Sequence, residues 1–248
     1  MKQKSVLFIL PLIALVLMSC QLANVNITRD TVRPSGDLQS ETRSVSGVER
    51  VVMEDLGKLT IIQGEEEGLT VEADDNLLPY IESRMRGSEL VLEVQNDVRV
   101  TGSSTIRYTL RVKDLNRITV AGAGEVQSER LVVDSLDLNV AGSGNIAIDS
   151  LETEELRADS SGSGNFSIAG KVNSQNITIN GAGNYNAGDL ESTSARVTIN
   201  GAGNITVWST GTLDIQVNGF GNVSYYGEPE VSQRITGGGG VKGLGEHK

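Results

Sequence analysis

The chain of 248 residues contains one cysteine, one histidine and one tryptophan, and aromatic residues make up 4% of it. A single cysteine excludes any disulfide within the chain, so nothing covalent staples the fold. The one histidine, His247, removes most of the usual supply of general bases and metal ligands. Positive charge is also short: 21 Lys and Arg stand against 32 Asp and Glu, a formal net charge of −11. That balance argues against nucleic acid as a partner. No apolar run reaches the ~20 residues that span a bilayer as a helix; the longest runs from Val6 to Met18.

What is there begins with that run. Lys2 and Lys4 followed by Val6 to Met18 have the layout of a secretory signal. Leu17-Met18-Ser19-Cys20 resembles a bacterial lipobox, in which the cysteine is lipidated and becomes the new N-terminus. Residues 1–19 are therefore expected to be a lipoprotein signal, and Cys20 an acyl attachment point rather than a nucleophile. Loss of Lys2 and Lys4 with the signal leaves the mature chain still more acidic. The polar stretch over residues 20–45 shows no periodicity and is expected to be a lipidated, flexible tether.

The dominant pattern is a repeat. Gly-x-Gly followed by a polar residue occurs at Gly122-Ala123-Gly124-Glu125, Gly142-Ser143-Gly144-Asn145, Gly162-Ser163-Gly164-Asn165, Gly181-Ala182-Gly183-Asn184, Gly201-Ala202-Gly203-Asn204 and Gly219-Phe220-Gly221-Asn222. A period near twenty implies stacked coils, none of which buries its apolar face alone. Alternating stretches flank each copy, such as Leu136-x-Leu138-x-Val140 and Ile146-x-Ile148, or Val197-x-Ile199 and Ile205-x-Val207. These read as strands with one face buried. The expected fold is all-β: a right-handed parallel β-helix with coils of about twenty residues.

Each glycine phrase is expected at a corner. Glycine there would supply positive φ and let neighbouring backbones approach closely. The Asn that follows in most copies both donates and accepts, so successive Asn side chains are expected to form a ladder. Glu125 interrupts that ladder, as a terminal repeat would, and Gly237-Gly238-Gly239-Gly240 reads as a degenerate last corner before a tail over 242–248.

Between residues 46 and 117 the phrase is absent, but strand signals persist at Val48 to Met53, Leu59 to Gln63, Leu69 to Ala73, Glu89 to Val94 and Ile106 to Val112. Asn76 to Arg86 reads as one helical turn or an irregular strand, since Pro79 limits a longer helix. One β-helix over 46–241 is expected, with irregular coils over 46–117 and regular ones over 118–241.

The lipobox, the lead-in strands Val48 to Met53 and Leu59 to Gly64, and coils carrying Asn-Gly-Ala-Gly-Asn and Val-Asn-Gly-Phe-Gly-Asn together resemble the head GIN domain family of auto-transporter adhesins, over about Gly47 to Gly240. The resemblance implies a right-handed parallel β-helix on a bacterial envelope protein. It brings no catalytic residues.

Three functions fit. The first is a non-enzymatic envelope lipoprotein, adhesin-like, exported and anchored by Cys20, with the outer membrane as expected location. It would bind a polysaccharide or an envelope protein through the flanks of its coils. The second is a structural subunit whose exposed coil ends associate with another copy, because open strand edges invite pairing. The third is a polysaccharide lyase or hydrolase, which needs clustered carboxylates with a nearby base. The densest acidic group is Glu152, Glu154 and Glu155, with Arg157 and Lys171 near it in sequence. No cofactor, metal or catalytic residue is assigned: Asn carbonyls alone make poor calcium sites, and no helix follows the glycine phrases to hold a phosphate. Trp208, Tyr225 and Tyr226 are the candidates for stacking on a sugar. Tyr225 shares the inward parity of Val217 and Val223, whereas Trp208 lies off the parity of Ile205 and Val207 and is the expected exposed contact residue.

Overall fold

The computed structural model describes residues 30–247, so the signal segment and Cys20 lie outside the described residues. In chain order the strands are β1 (Asp30–Val32), β2 (Leu38–Arg43), β3 (Arg50–Met53), β4 (Lys58–Gln63), β5 (Gly68–Asp74), β6 (Ile81–Arg86), β7 (Glu89–Val94), β8 (Val98–Val100), β9 (Arg107–Val112) and β10 (Arg117–Val120). They continue as β11 (Glu125–Ser128), β12 (Leu131–Val132), β13 (Ser135–Val140), β14 (Asn145–Ser160), β15 (Asn165–Ile179), β16 (Asn184–Ile199), β17 (Ala202–Val217), β18 (Phe220–Tyr226), β19 (Glu230–Ile235) and β20 (Gly238–Gly245). Among the described residues a single 3₁₀ turn, Leu78–Tyr80, carries Pro79 at its start and runs straight into β6. No helix among the described residues is long and apolar enough to cross a membrane.

Successive coils stack in parallel, β13 on β14, β14 on β15, β15 on β16 and β16 on β17, and β17 then pairs with both β18 and β19. Asn145 stands opposite Asn165, one coil along, so the twenty-residue period of the sequence is the circumference of a β-solenoid. Two more coils precede the glycine phrases. Strands β3 and β4 pair in parallel with β10 and β11, and β7 and β9 pair with β3 and β4. The sheet then changes sense, because β6 lies antiparallel on β7, β5 on β9 and β2 on β5. One end of the solenoid is thus closed by antiparallel strands, while the other ends on β19 and β20.

The interior is built as columns, one residue per coil. Val126, Ile146, Phe166, Tyr185, Ile205 and Val223 are in register along one column, and all are buried. Ile118, Leu138, Ala158, Ile177, Val197 and Ile215 form another. Fully burying each large aliphatic side chain contributes roughly 1.5–3 kcal/mol, and the columns fuse into one core with the lead-in strands. The polar residues Ser128, Thr153, Gln175, Ser192 and Ser209 are also buried. Three of them bond backbone carbonyls: Ser128 Oγ donates to Ile61 O at 3.1 Å, Thr153 Oγ1 to Asp134 O at 3.0 Å and Ser209 Oγ to Thr212 O at 2.8 Å.

Three expectations need correction. The glycines of the six phrases do not adopt positive φ; the positive-φ glycines lie elsewhere, for example Gly57, Gly170 and Gly227. Close approach alone selects them, since a Cβ on Gly142, Gly162, Gly181, Gly201 or Gly219 would collide with the carbonyl oxygen of the glycine one coil earlier. The stretch expected as a tether over 20–45 already carries β1 and β2, and β2 pairs along its whole length with β5. Its side chains are largely exposed, so backbone hydrogen bonding holds it without the apolar alternation that marks other strands. The tail expected over 242–248 is likewise partly strand, because β20 pairs with β18 as far as Gly245, with a register shift after Gly243.

Candidate functional site

The corners are paved and laddered. Asn165 Nδ2 donates to Asn145 Oδ1 at 2.9 Å, Asn184 to Asn165 at 2.9 Å, Asn204 to Asn184 at 3.3 Å and Asn222 to Asn204 at 3.1 Å. Glu125, from the first glycine phrase, takes the next place in the column, and Lys58 continues it beyond the phrases, with its Nζ 3.2 Å from Glu125 Oε1. Glu125 is therefore an internal rung rather than a terminal one. A second ladder runs beside the first: Asn200 donates to Asn180 at 2.8 Å and Asn218 to Asn200 at 2.7 Å. Its signal was present as Asn immediately before glycine at 180, 200 and 218. With their amides turned on one another, these rungs are chiefly structural.

Another flank carries charged and aromatic side chains. Val132, Glu152, Lys171, Glu191, Trp208 and Tyr226 stand in register, one per coil, in a single row along the solenoid axis. At ~4.8 Å per coil the row is about 24 Å long. Lys171 Nζ lies 3.4 Å from Glu191 Oε1, and Arg130 reaches Glu152 at 3.9 Å. Beside the charged half of the row runs an open groove of about 550 Å³, lined among others by Asp134, Glu152, Thr153, Glu154, Lys171 and Asn173. Its lining is acidic on balance.

The aromatic half is built on a fixed backbone. Buried Tyr185 donates its hydroxyl to Gln175 Oε1 at 3.0 Å, Gln175 Nε2 bonds Ser192 Oγ at 2.9 Å, and Ser192 Oγ donates to the carbonyl oxygen of Trp208 at 2.6 Å. Burial pushes the Tyr185 hydroxyl far above its ordinary pKa, so it stays a neutral donor. The Trp208 side chain is partly buried. Its indole is stacked by the imidazole of His247, with ring centroids 4.1 Å apart and planes 8° from parallel. Tyr226 meets the same imidazole edge-on, and His247 Nε2 lies 2.9 Å from Asp189 Oδ1.

The two patches weighed separately in the sequence, Glu152 with Lys171 and Trp208 with Tyr226, are thus one row. Glu154 lines the groove, but Glu155 belongs to a neighbouring row with Ser135 and Ser174. Arg157 turns away to Asp159, at 2.6 Å. Tyr225 is partly buried and packs against the core. Asp189, Glu191 and His247 were missed. Coil length varies at this flank, with register shifts between Ala187 and Glu191 and between Ser192 and Ser194, so counting from the glycines does not align Glu191 with Trp208. Counting from the inward Leu131, Leu151 and Leu190 would have aligned Val132, Glu152 and Glu191, each the next residue.

A family model for "putative auto-transporter adhesin, head GIN domain" matches residues 49–229. Among solved structures, a putative adhesin from Bacteroides fragilis shares 26% identity and a TM-score of 0.81, over 86% of this chain and 100% of that one. A putative lipid binding protein from Parabacteroides distasonis is 20% identical with a TM-score of 0.71, over 87% and 100% of the two chains. A putative adhesin from the same species is 24% identical with a TM-score of 0.66, over 87% and 100%. The last two likenesses concern the fold alone. No curated protein matches.

Proposed function

This chain belongs to the auto-transporter adhesin head GIN domain family, and from that premise we propose that it is a non-enzymatic envelope lipoprotein, anchored through Cys20, that binds a glycan along the axial row from Glu152 to Tyr226. The single observation that carries this reading is that row: exposed Glu152 and Lys171, then partly buried Glu191, Trp208 and Tyr226, repeat at the coil spacing on a rigid sheet. An extended polymer lying along the axis meets a new side chain every ~4.8 Å. Aromatic faces accept the apolar face of a sugar ring while carboxylates and Lys171 meet its polar substituents. With Asp134, Glu152 and Glu154 beside a single lysine, the groove favours neutral or amino-bearing sugars over uronate or phosphate polymers.

The test is binding of the purified protein to an immobilised panel of neutral, amino and uronic oligosaccharides, with Trp208→Ala and Lys171→Glu as controls. Binding to neutral or amino sugars that falls at least tenfold in Trp208→Ala supports the reading. Absence of binding to the whole panel, or binding indifferent to both substitutions, overturns it. Cys20→Ser should move the protein from the membrane to the soluble fraction, and proteinase added to intact cells distinguishes a surface from a periplasmic location.

A second reading has one observation in its favour. The last coil, β19 and β20, has no further strand on its outer edge among the described residues. Ile235 and Leu244 are exposed on that coil, so a second copy is the natural occupant of that edge.

A further inference from the structure

The Trp208 end of the row is already filled by the protein's own chain. After Gly245 the backbone leaves the ladder with β18, and two residues later the imidazole of His247 lies flat on the indole of Trp208, 4.1 Å between ring centroids. Tyr226 forms a wall, its ring 5.0 Å from the imidazole at 79°. Asp189 supplies a polar anchor, its Oδ1 2.9 Å from Nε2. Room for the Tyr226 ring comes from Gly188, where a Cβ would stand 3.1 Å from Tyr226 Cε2. A flat floor, an edge-on wall and a carboxylate acceptor are what a sugar ring needs: an apolar C–H face for the indole and a hydroxyl or amino hydrogen for the carboxylate.

We propose that Trp208, Tyr226 and Asp189 form a single-ring sugar subsite that His247 occupies in the free protein, and that a bound glycan must displace the imidazole. The inference rests on the flank reading above and adds self-occupancy to it. His247 makes its contacts through one ring on a short segment, whereas the backbone that carries Trp208 is held by the buried chain Tyr185–Gln175–Ser192. The mobile partner is therefore the imidazole and the preformed one the indole. Binding is weakened by the fraction of molecules in which His247 sits on the ring.

Trp208 is the only tryptophan, so its fluorescence reads this subsite alone. Wild type and His247→Ala are compared for acrylamide quenching without ligand and for binding to the same immobilised panel of neutral, amino and uronic oligosaccharides. The expected result is about twofold stronger quenching in His247→Ala, with sugar binding about two- to tenfold tighter, the range of one aromatic stack. Unchanged quenching in His247→Ala means the imidazole does not cover the indole and overturns the proposal. Stronger quenching with unchanged sugar affinity overturns the competition while leaving the flank reading in place. If neither protein binds any member of the panel, both fall together.

Discussion

The carbonyl oxygen of Gly122 lies where a Cβ on Gly142 would be, and the backbone N–H of Ser143 donates to that same oxygen at 2.9 Å. Because the obstacle is backbone engaged in the stack, it cannot swing aside as a side chain would. Gly142→Ala should therefore cost at least the ~1–3 kcal/mol of ordinary overpacking. Gly64→Ala is the matched control, since nothing lies within 4 Å of a Cβ there, and its expected effect is within about 0.5 kcal/mol. Urea midpoints for the two variants check this; equal midpoints would show that the corners are not close-packed.

That pair also marks how far the sequence could be read. The phrase and its period identify the coil, because steric exclusion of every side chain but hydrogen leaves a visible glycine in each turn. The cause assigned to it was only half right, since positive φ and close approach select the same residue and cannot be separated without coordinates. Strand β2 was illegible for the opposite reason: its backbone does the pairing and its exposed side chains leave no pattern. At the site, Trp208 stood out by its parity, but His247 could not be linked to it. A contact made by a chain doubling back over three coils has no periodic signature.

The Asn ladder predicts a dependence on position. Asn165 donates to Asn145 and accepts from both the side-chain amide and the backbone N–H of Asn184, whereas Asn222 donates to Asn204 alone among the ladder residues. At ~0.5–1.5 kcal/mol per hydrogen bond, with exposure favouring the lower end, Asn165→Ala should lose about two to three times the stability that Asn222→Ala loses. Chemical denaturation of the two variants provides the comparison. Equal losses would show that the rungs act independently of the ladder.

Two buried tyrosines predict alkaline sensitivity. Burial raises Tyr185 and Tyr108 well above the ordinary value of 10, and for Tyr108 the neighbouring Asp55 adds to the rise. Both hydroxyls keep their protons in the folded state after the unfolded chain has begun to lose its own. The stabilisation is thus fully present below about pH 10 and is lost as pH climbs above it. Denaturation midpoints followed from pH 8 to 11 should hold steady and then fall. Tyr108→Phe should flatten the fall, and an unchanged slope would show that Tyr108 does not titrate with unfolding.

The two ends of the solenoid predict what self-association can produce. At the end formed by the lead-in strands, β6 and β2 run antiparallel to their neighbours, so a second copy cannot continue the coil register there. Of the solenoid coils among the described residues, the one formed by β19 and β20 presents the last parallel edge. A head-to-tail contact would need two complementary ends and would grow without limit, whereas an end that meets its own kind closes after two copies. Antiparallel pairing of β19 with its symmetry mate centred on Ser232 would set Glu230 opposite Arg234 twice, a self-complementary arrangement of charge. Sedimentation velocity across a hundredfold range of concentration should therefore show a monomer passing to a dimer and no larger species. Arg234→Glu should hold the protein at monomer by setting like charges opposite each other. Species beyond the dimer would mean that the antiparallel end also docks, and dimers persisting in Arg234→Glu would move the contact away from β19.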